Sequence, residues 1–159
     1  MELCRTVLSA EHPDTLMSMN NLASTYWSQG KHKEAKELDV RVLELRQTVL
    51  GAEHPATLRS MNNLASTYWN QGKHKEAEEL HVRVLELRQS VLGAEHPHTL
   101  TSMSNLASTY QSQGRLKEAI EMMQKVVVLC TKVLGSHHPD TVDSAQVLEN
   151  WTGPFGGEN

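Results

Sequence analysis

At 159 residues the chain has the length of one ordinary domain, and its net charge of −4 comes from acidic and basic residues interspersed along it, which excludes the basic footprint of a nucleic-acid binder. Aromatic residues are 4% of the sequence and apolar ones 38%, thin for one compact core and adequate for a layered helical array. No stretch approaches the ~18 apolar residues of a membrane span and the opening MELCRTVLSA is no signal peptide, so a cytoplasmic protein that meets neither membrane nor nucleic acid is expected.

Residues 1–10 read as the end of a helix, because ELCRTVLSA at 2–10 matches ELRQTVLGA at 44–52. The first complete pattern follows in HPDTLMSMNNLASTYWSQG. Pro13 suits the first helical position, and His12, held extended by that proline, suits the cap. Leu16, Met19, Leu22, Ala23 and Tyr26 then fall on one stripe at helical period, until Gly30 stops the helix. A second helix is predicted from about Lys31 to Leu50, with Ala35, Leu38, Val42, Leu45 and Val49 along one face. Glu37 and Arg41 form an i,i+4 pair on its side, and Gly51 ends it before AEHP turns the chain.

Both helices then return. NNLASTYWSQGKHKEA at 20–35 recurs at 62–77 and, more loosely, at 104–119, a period of 42 residues that signals a solenoid. The units are 11–52, 53–94 and 95–136, followed by the first helix of a fourth unit or a capping helix at 137–151 and a tail at 152–159. Units one and two differ only at positions 14, 17, 28, 36, 39 and 48 of the first. The charge pair recurs as Glu79/Arg83 and Glu121/Lys125. In the third unit Ile120, Met123, Val127 and Val128 replace Lys36, Asp39, Leu43 and Glu44, widening the apolar stripe. That stripe is expected to grip the helix at 139–151; the other reading is a sticky surface for a partner. Cys4 and Cys130 are three layers apart, roughly 30 Å, beyond the reach of a disulfide. Arg46 and Arg88 hold their place in the layers between.

Opposite the apolar stripe, the first helix carries Met17, Asn20, Asn21, Ser24 and Ser28. Their equivalents are Arg59, Asn62, Asn63, Ser66 and Asn70 in the second unit, and Thr101, Asn105 and Ser108 in the third. Asparagine is a poor helix former, so a ladder of asparagines in mid-helix invites a reason. A carboxamide carries both donor and acceptor and can hold the backbone of an extended peptide without reading its sequence. Five such bonds at roughly 1 kcal/mol each give hardly better than millimolar binding, so apolar anchors are needed as well. Trp27 and Trp69 stand at the edge of this face, with Gln111 in their place in the third unit. Against this stand two plainer readings: Asn21, Asn63 and Asn105 bond neighbouring helix backbone, and the tryptophans pack between repeats.

No catalytic residue, metal or cofactor is expected. The sequence has no GxxxxGK[ST] loop, no HExxH and no paired cysteines. His12, His54, His96 and His138 recur once per unit, about 10 Å apart, too far to share a zinc, and read as caps.

Leu22, Ala23, Tyr26, Gly30 and Ala35, with their equivalents 42 and 84 residues on, are spaced as in the tetratricopeptide repeat. The 42-residue period and VLGAEHPxTLxSMNNLA resemble the long repeats of kinesin light chains, and more closely the kinesin-light-chain-like arrays at the C-termini of fungal NOD-like receptor proteins. The chain departs from the family pattern at Met19, Met61 and Met103, where an early Trp is usual, and at Asp39, His81 and Met123, where the second helix usually has an aromatic. The resemblance implies an all-α fold, a right-handed α-solenoid of antiparallel helix pairs whose first helices line a concave groove. It also implies that the asparagines there contact peptides, making the chain a module for binding a protein or peptide. The alternatives are an element that self-associates head to tail, or the ligand-sensing segment of a larger receptor.

Overall fold

The computed structural model describes residues 12–153. Among them are seven helices and no strand: α1 (Pro13–Ser28), α2 (His32–Leu50), α3 (Pro55–Asn70), α4 (His74–Leu92), α5 (Pro97–Ser112), α6 (Leu116–Leu134) and α7 (Pro139–Thr152). The fold is an all-α helical repeat. The helix expected at 1–10, with Cys4, and the tail from residue 154 lie outside the described residues. The chain divides into two compact units, up to Thr67 and from Tyr68 onward, and each is described by itself.

All four odd-numbered helices begin the same way. The Nδ1 atoms of His12, His54, His96 and His138 accept the backbone N–H two residues on, at 3.1–3.2 Å. Each ring satisfies one of the orphan donors of a helix start, and the proline that follows supplies none. The even-numbered helices end on glycine: Gly51 sits at φ +88°, where a side chain would be strained, and closes the helix with a 3.1 Å bond from its N–H to the Gln47 carbonyl.

In the first unit α1 packs on α2, and α3 as far as Thr67 lies along α2. Two sets of bonds define how. Thr67, late in α3, donates its hydroxyl to Asp39, early in α2, at 2.8 Å. Thr57, early in α3, donates to the backbone oxygen of Arg46, late in α2, at 3.3 Å. Early meets late at both ends, so the two helices run antiparallel. On α3 the face turned to α2 is Thr57, Ser60, Leu64 and Thr67, all buried.

That register corrects the reading of Leu22. Leu64 is 4% exposed, whereas Leu22, its equivalent on α1, is 41% exposed. Ser18 and Thr25 on the same face are exposed too. On α2 the expected stripe holds at Ala35 and Val42, weakens at half-buried Leu38 and Leu45, and fails at exposed Val49. Asp39, Leu43 and Arg46 are buried instead, because a second helix is covered on two sides and not one. The expected pairs Glu37/Arg41, Glu79/Arg83 and Glu121/Lys125 do not close to ion-pair distance, since exposed pairs gain little over solvation. Arg115 instead binds Glu78 at 2.8 Å and also Glu118.

The second unit stacks α4 on α5, α5 on α6 and α6 on α7. Its core is Leu100, Met103, Ala107, Met123, Val126 and Cys130, with Leu85, Val147, Leu148 and Trp151 packed around it. Here the junction contacts seen at Asp39 and Thr67 recur with other chemistry. Buried His81 lies 2.9 Å, through Nδ1, from the hydroxyl oxygen of Thr109. That hydroxyl donates to the Asn105 carbonyl at 3.0 Å, so its oxygen accepts and Nδ1 carries the proton. Nε2 is then a bare acceptor, buried without a partner. One layer on, Met123 and Trp151 occupy the two positions and both join the apolar core. The widened stripe of α6 thus grips α7 through Met123; Ile120 and Val127 are half-buried, and Val128 is 66% exposed and does not take part. Helix α7 keeps only one of the two faces of its predecessors. Thr141 and Ser144 are buried, but Val142 stands exposed where Leu100 is buried, and exposed Glu149 replaces the buried Ala107.

Burial pushes the His81 imidazole down to about 4 from 6.5. The neutral ring is the form that the fold favours, so its contribution is complete above pH 6.5 and is lost as pH falls toward 4, by roughly 3 kcal/mol at most. Asp39 acts in the opposite sense: burial raises its carboxyl, against the bond from Thr67, and its contribution improves as pH falls. Comparing wild type with His81→Met, which installs the third unit's residue, cancels the Asp39 effect. Urea unfolding at pH 7.5 and pH 4.5 should show a steep loss in wild type and a much shallower one in the variant.

Candidate partner-binding face

The residues opposite the core stripe of the first helices lie on the surface in both units. In the first unit Met17, Asn21, Ser24, Ser28, Arg59 and Ser66 are exposed, while Asn20, Trp27, Asn62 and Asn63 are half-buried. The decisive contact is lateral: Asn63 Nδ2 on α3 donates to Asn20 Oδ1 on α1 at 3.0 Å. Asn63 therefore bonds a neighbouring helix, but through its side chain and not its backbone. Asn62 and Asn105 are partnered as well. Each member of the Asn20–Asn63 clasp uses one of its polar groups in it, which leaves the Asn20 amide N–H and the Asn63 oxygen on the same face. The hydroxyls of Ser28 and Ser66 turn back onto Thr25 and Asn62 carbonyls of their own helices, at 2.8 and 3.1 Å. Trp27 stacks on His32, ring centroids 4.1 Å apart.

In the second unit Trp69 is 39% exposed and donates its indole N–H to the Ser112 hydroxyl of α5 at 2.8 Å. Ser112 passes its own proton to the Thr109 carbonyl, also at 2.8 Å. The edge of His74 faces the indole, centroids 6.2 Å apart. Trp69 is thus positioned by polar groups, with part of its ring open to solvent. Asn70, Thr101 and Gln111 are exposed, and Asn105 and Ser108 are half-buried. Ser112 stands 42 residues beyond Asn70 and 84 beyond Ser28, and its bond to Trp69 is not legible from that spacing. Arg46 is read from the sequence only as the layer equivalent of Cys4 and Cys130, and its burial against α3 is not legible there.

Among the described residues no three His, Cys, Asp or Glu side chains are grouped to hold a metal ion, and no helix is long and apolar enough to cross a membrane.

The tetratricopeptide repeat model matches residues 1–47, 20–81, 60–127 and 104–151. The chain belongs to the tetratricopeptide repeat family. Repeats of this family generally mediate protein–protein interaction on a scaffold that is in general non-catalytic. Two solved structures of the nearly identical TPR-like repeats of a Podosopora anserina kinesin-light-chain-type protein, one of them a point variant, are similar to it. They share 37% and 38% identity over 89% of this chain, with TM-scores of 0.77 and 0.75. The chain spans 66% and 67% of their lengths. BtubC (BKLC) from P. vanneervenii shares the fold at 21% identity and a TM-score of 0.75, over 84% of this chain and 54% of its own. Comparison with curated proteins finds no match.

The tetratricopeptide clasp has a direction that substitution can read. Asn20→Asp keeps an oxygen facing the Asn63 amide and should cost little. Asn63→Asp sets oxygen against oxygen and should destabilise by about 1 kcal/mol more, measured by urea unfolding at pH 7. Equal costs would contradict the direction of the bond.

Proposed function

We propose that the outward face of the first helices holds an extended segment of a partner protein, making this chain a cytoplasmic interaction scaffold. The observation that carries the reading is the Asn20–Asn63 clasp, which holds two carboxamides rigidly on the surface with one donor and one acceptor unused. An extended peptide unit offers the complementary C=O and N–H. Pre-positioned side chains lose little rotamer freedom on binding, which improves the return from bonds of about 1 kcal/mol each. In the second unit Trp69 offers an apolar surface of its own. Its ring is held by Ser112 and partly exposed, and covering it would add on the order of 2 kcal/mol. The family's general role and the kinesin-light-chain-type relatives support the same reading.

The test is capture of peptides from a random-sequence array, followed by affinity measurement for the best binders. Asn20→Ala, Asn62→Ala and Asn63→Ala, each checked for helicity, should weaken capture about tenfold, and Trp69→Ala more. Unchanged affinity in all four variants would reject this face as the binding surface.

A further inference from the structure

Arg46 is a charge almost sealed within the first unit, its residue only 3% exposed. Its Nη1 donates to the Ala56 carbonyl at 3.1 Å and to the Ser60 hydroxyl at 2.6 Å, both neutral acceptors. Arg59 stands three residues after Ala56 on α3, on the same side of that helix, with its side chain exposed. Burial first, and the neighbouring Arg59 charge second, hold the Arg46 pKa below its ordinary value. Among the described residues neither guanidinium has a carboxylate within ion-pair distance. A buried charge with only neutral partners is incompletely compensated, and a second cation beside it makes the deficit worse.

The repeat provides its own control. Arg88, 42 residues on, makes the same bonds, to the His98 carbonyl at 2.8 Å and the Ser102 hydroxyl at 2.7 Å. The residue equivalent to Arg59 there is Thr101. The arginine staple between a second helix and the next first helix therefore forms without a second cation. Arg59 adds nothing to the staple and brings repulsion, so its presence calls for an anion.

We propose that Arg46 and Arg59 form a site for a phosphorylated side chain, Arg59 gripping the phosphate directly and Arg46 supplying charge from beneath. A phosphate monoester carries close to two negative charges at pH 7, which matches two guanidiniums with no carboxylate near, and a carboxylate would neutralise only one. The planar guanidinium fork fits phosphate oxygens in pairs, and a buried cation acts through protein more strongly than through water. Arg59 lies on the face assigned to the partner peptide, so this inference rests on that reading for how the phosphate arrives, and it narrows the ligand to a phosphorylated one.

The test uses small probes and no peptide, so failure of the peptide reading would not be mistaken for failure of this one. The full chain labelled with ¹⁵N is titrated with O-phospho-L-serine and, at matched ionic strength, with L-glutamate. Phosphoserine should shift the Arg59 side-chain N–H and the Ser60 amide saturably, with glutamate at least tenfold weaker. Arg59→Thr, which installs the third unit's residue and keeps the staple, should abolish the response. Thr101→Arg should create a second responsive set around Arg88 and Ser102. An undiminished response in Arg59→Thr, or glutamate binding as tightly as phosphoserine, would overturn the proposal.

Discussion

A second helix of this chain is covered twice where both neighbours lie in its own unit: α2 by α1 and α3 as far as Thr67, and α6 by α5 and α7. The second of these contacts is what turns a helix pair into an array. On the Thr, Ser and Leu face that a first helix turns to the preceding second helix, Leu64 and Leu106 are buried. The contact has two polar fixings. At the α2/α3 and α4/α5 junctions an arginine late in the second helix bonds a serine early in the next first helix, and an Asp or His early in the second helix meets a Thr late in that first helix; at α6/α7 Met123 and Trp151 join the apolar core instead. Fixing both ends determines the antiparallel register, because sliding by one turn would strand a buried hydroxyl and a buried carboxylate or imidazole together.

Near-identical units make register the hard problem. Units one and two differ at six positions, and one of these is the junction itself, Asp39 against His81. Both residues bond a threonine, yet in opposite senses: Asp39 accepts from Thr67 and His81 donates to Thr109. The third junction removes polarity and uses Met123 with Trp151. A buried polar pair is weak evidence for stability and better evidence for specificity. Three chemistries at one repeated position are what a chain needs if identical scaffolds are to stack in one order. The cost falls on pH tolerance, since His81 must remain neutral.

How much of this could be read beforehand follows from which features are periodic. His-Pro starts, glycine stops and helix lengths are written once per unit, and the helices began and ended within a residue or two of the expected places. Single-stripe reasoning then failed where a helix is covered on two sides: it placed Val49 in the core and overlooked Asp39 and Arg46. It also treated Leu22 as equivalent to Leu64, which sequence identity implies, whereas Leu22 is exposed and Leu64 buried. The candidate face was legible as a surface, from Met17 to Gln111, because solvent exposure follows from angle alone. What lies along it was not: an Asn–Asn bond across 43 residues and a Trp–Ser bond across another 43 depend on how neighbouring helices are offset, and no local pattern encodes an offset.

These two bonds also explain why the same side chains can be structural and available at once. Asn63 ties α3 to α1, and Ser112 ties α5 to Trp69, so replacing either residue loosens a helix contact. Yet a carboxamide has more bonding capacity than one clasp consumes, and an indole anchored by its N–H still presents its ring. At Asn20 and Asn63 a poor helix former is tolerated in mid-helix because the bond between them, roughly 1 kcal/mol, offsets a propensity loss of about a few tenths of a kcal/mol. Serine, by contrast, satisfies itself: Ser28 and Ser66 turn onto their own helices and leave the surface smooth. The asparagines alone combine inter-helix bonding with unused donors and acceptors, which is the property a surface needs if it is to hold a backbone.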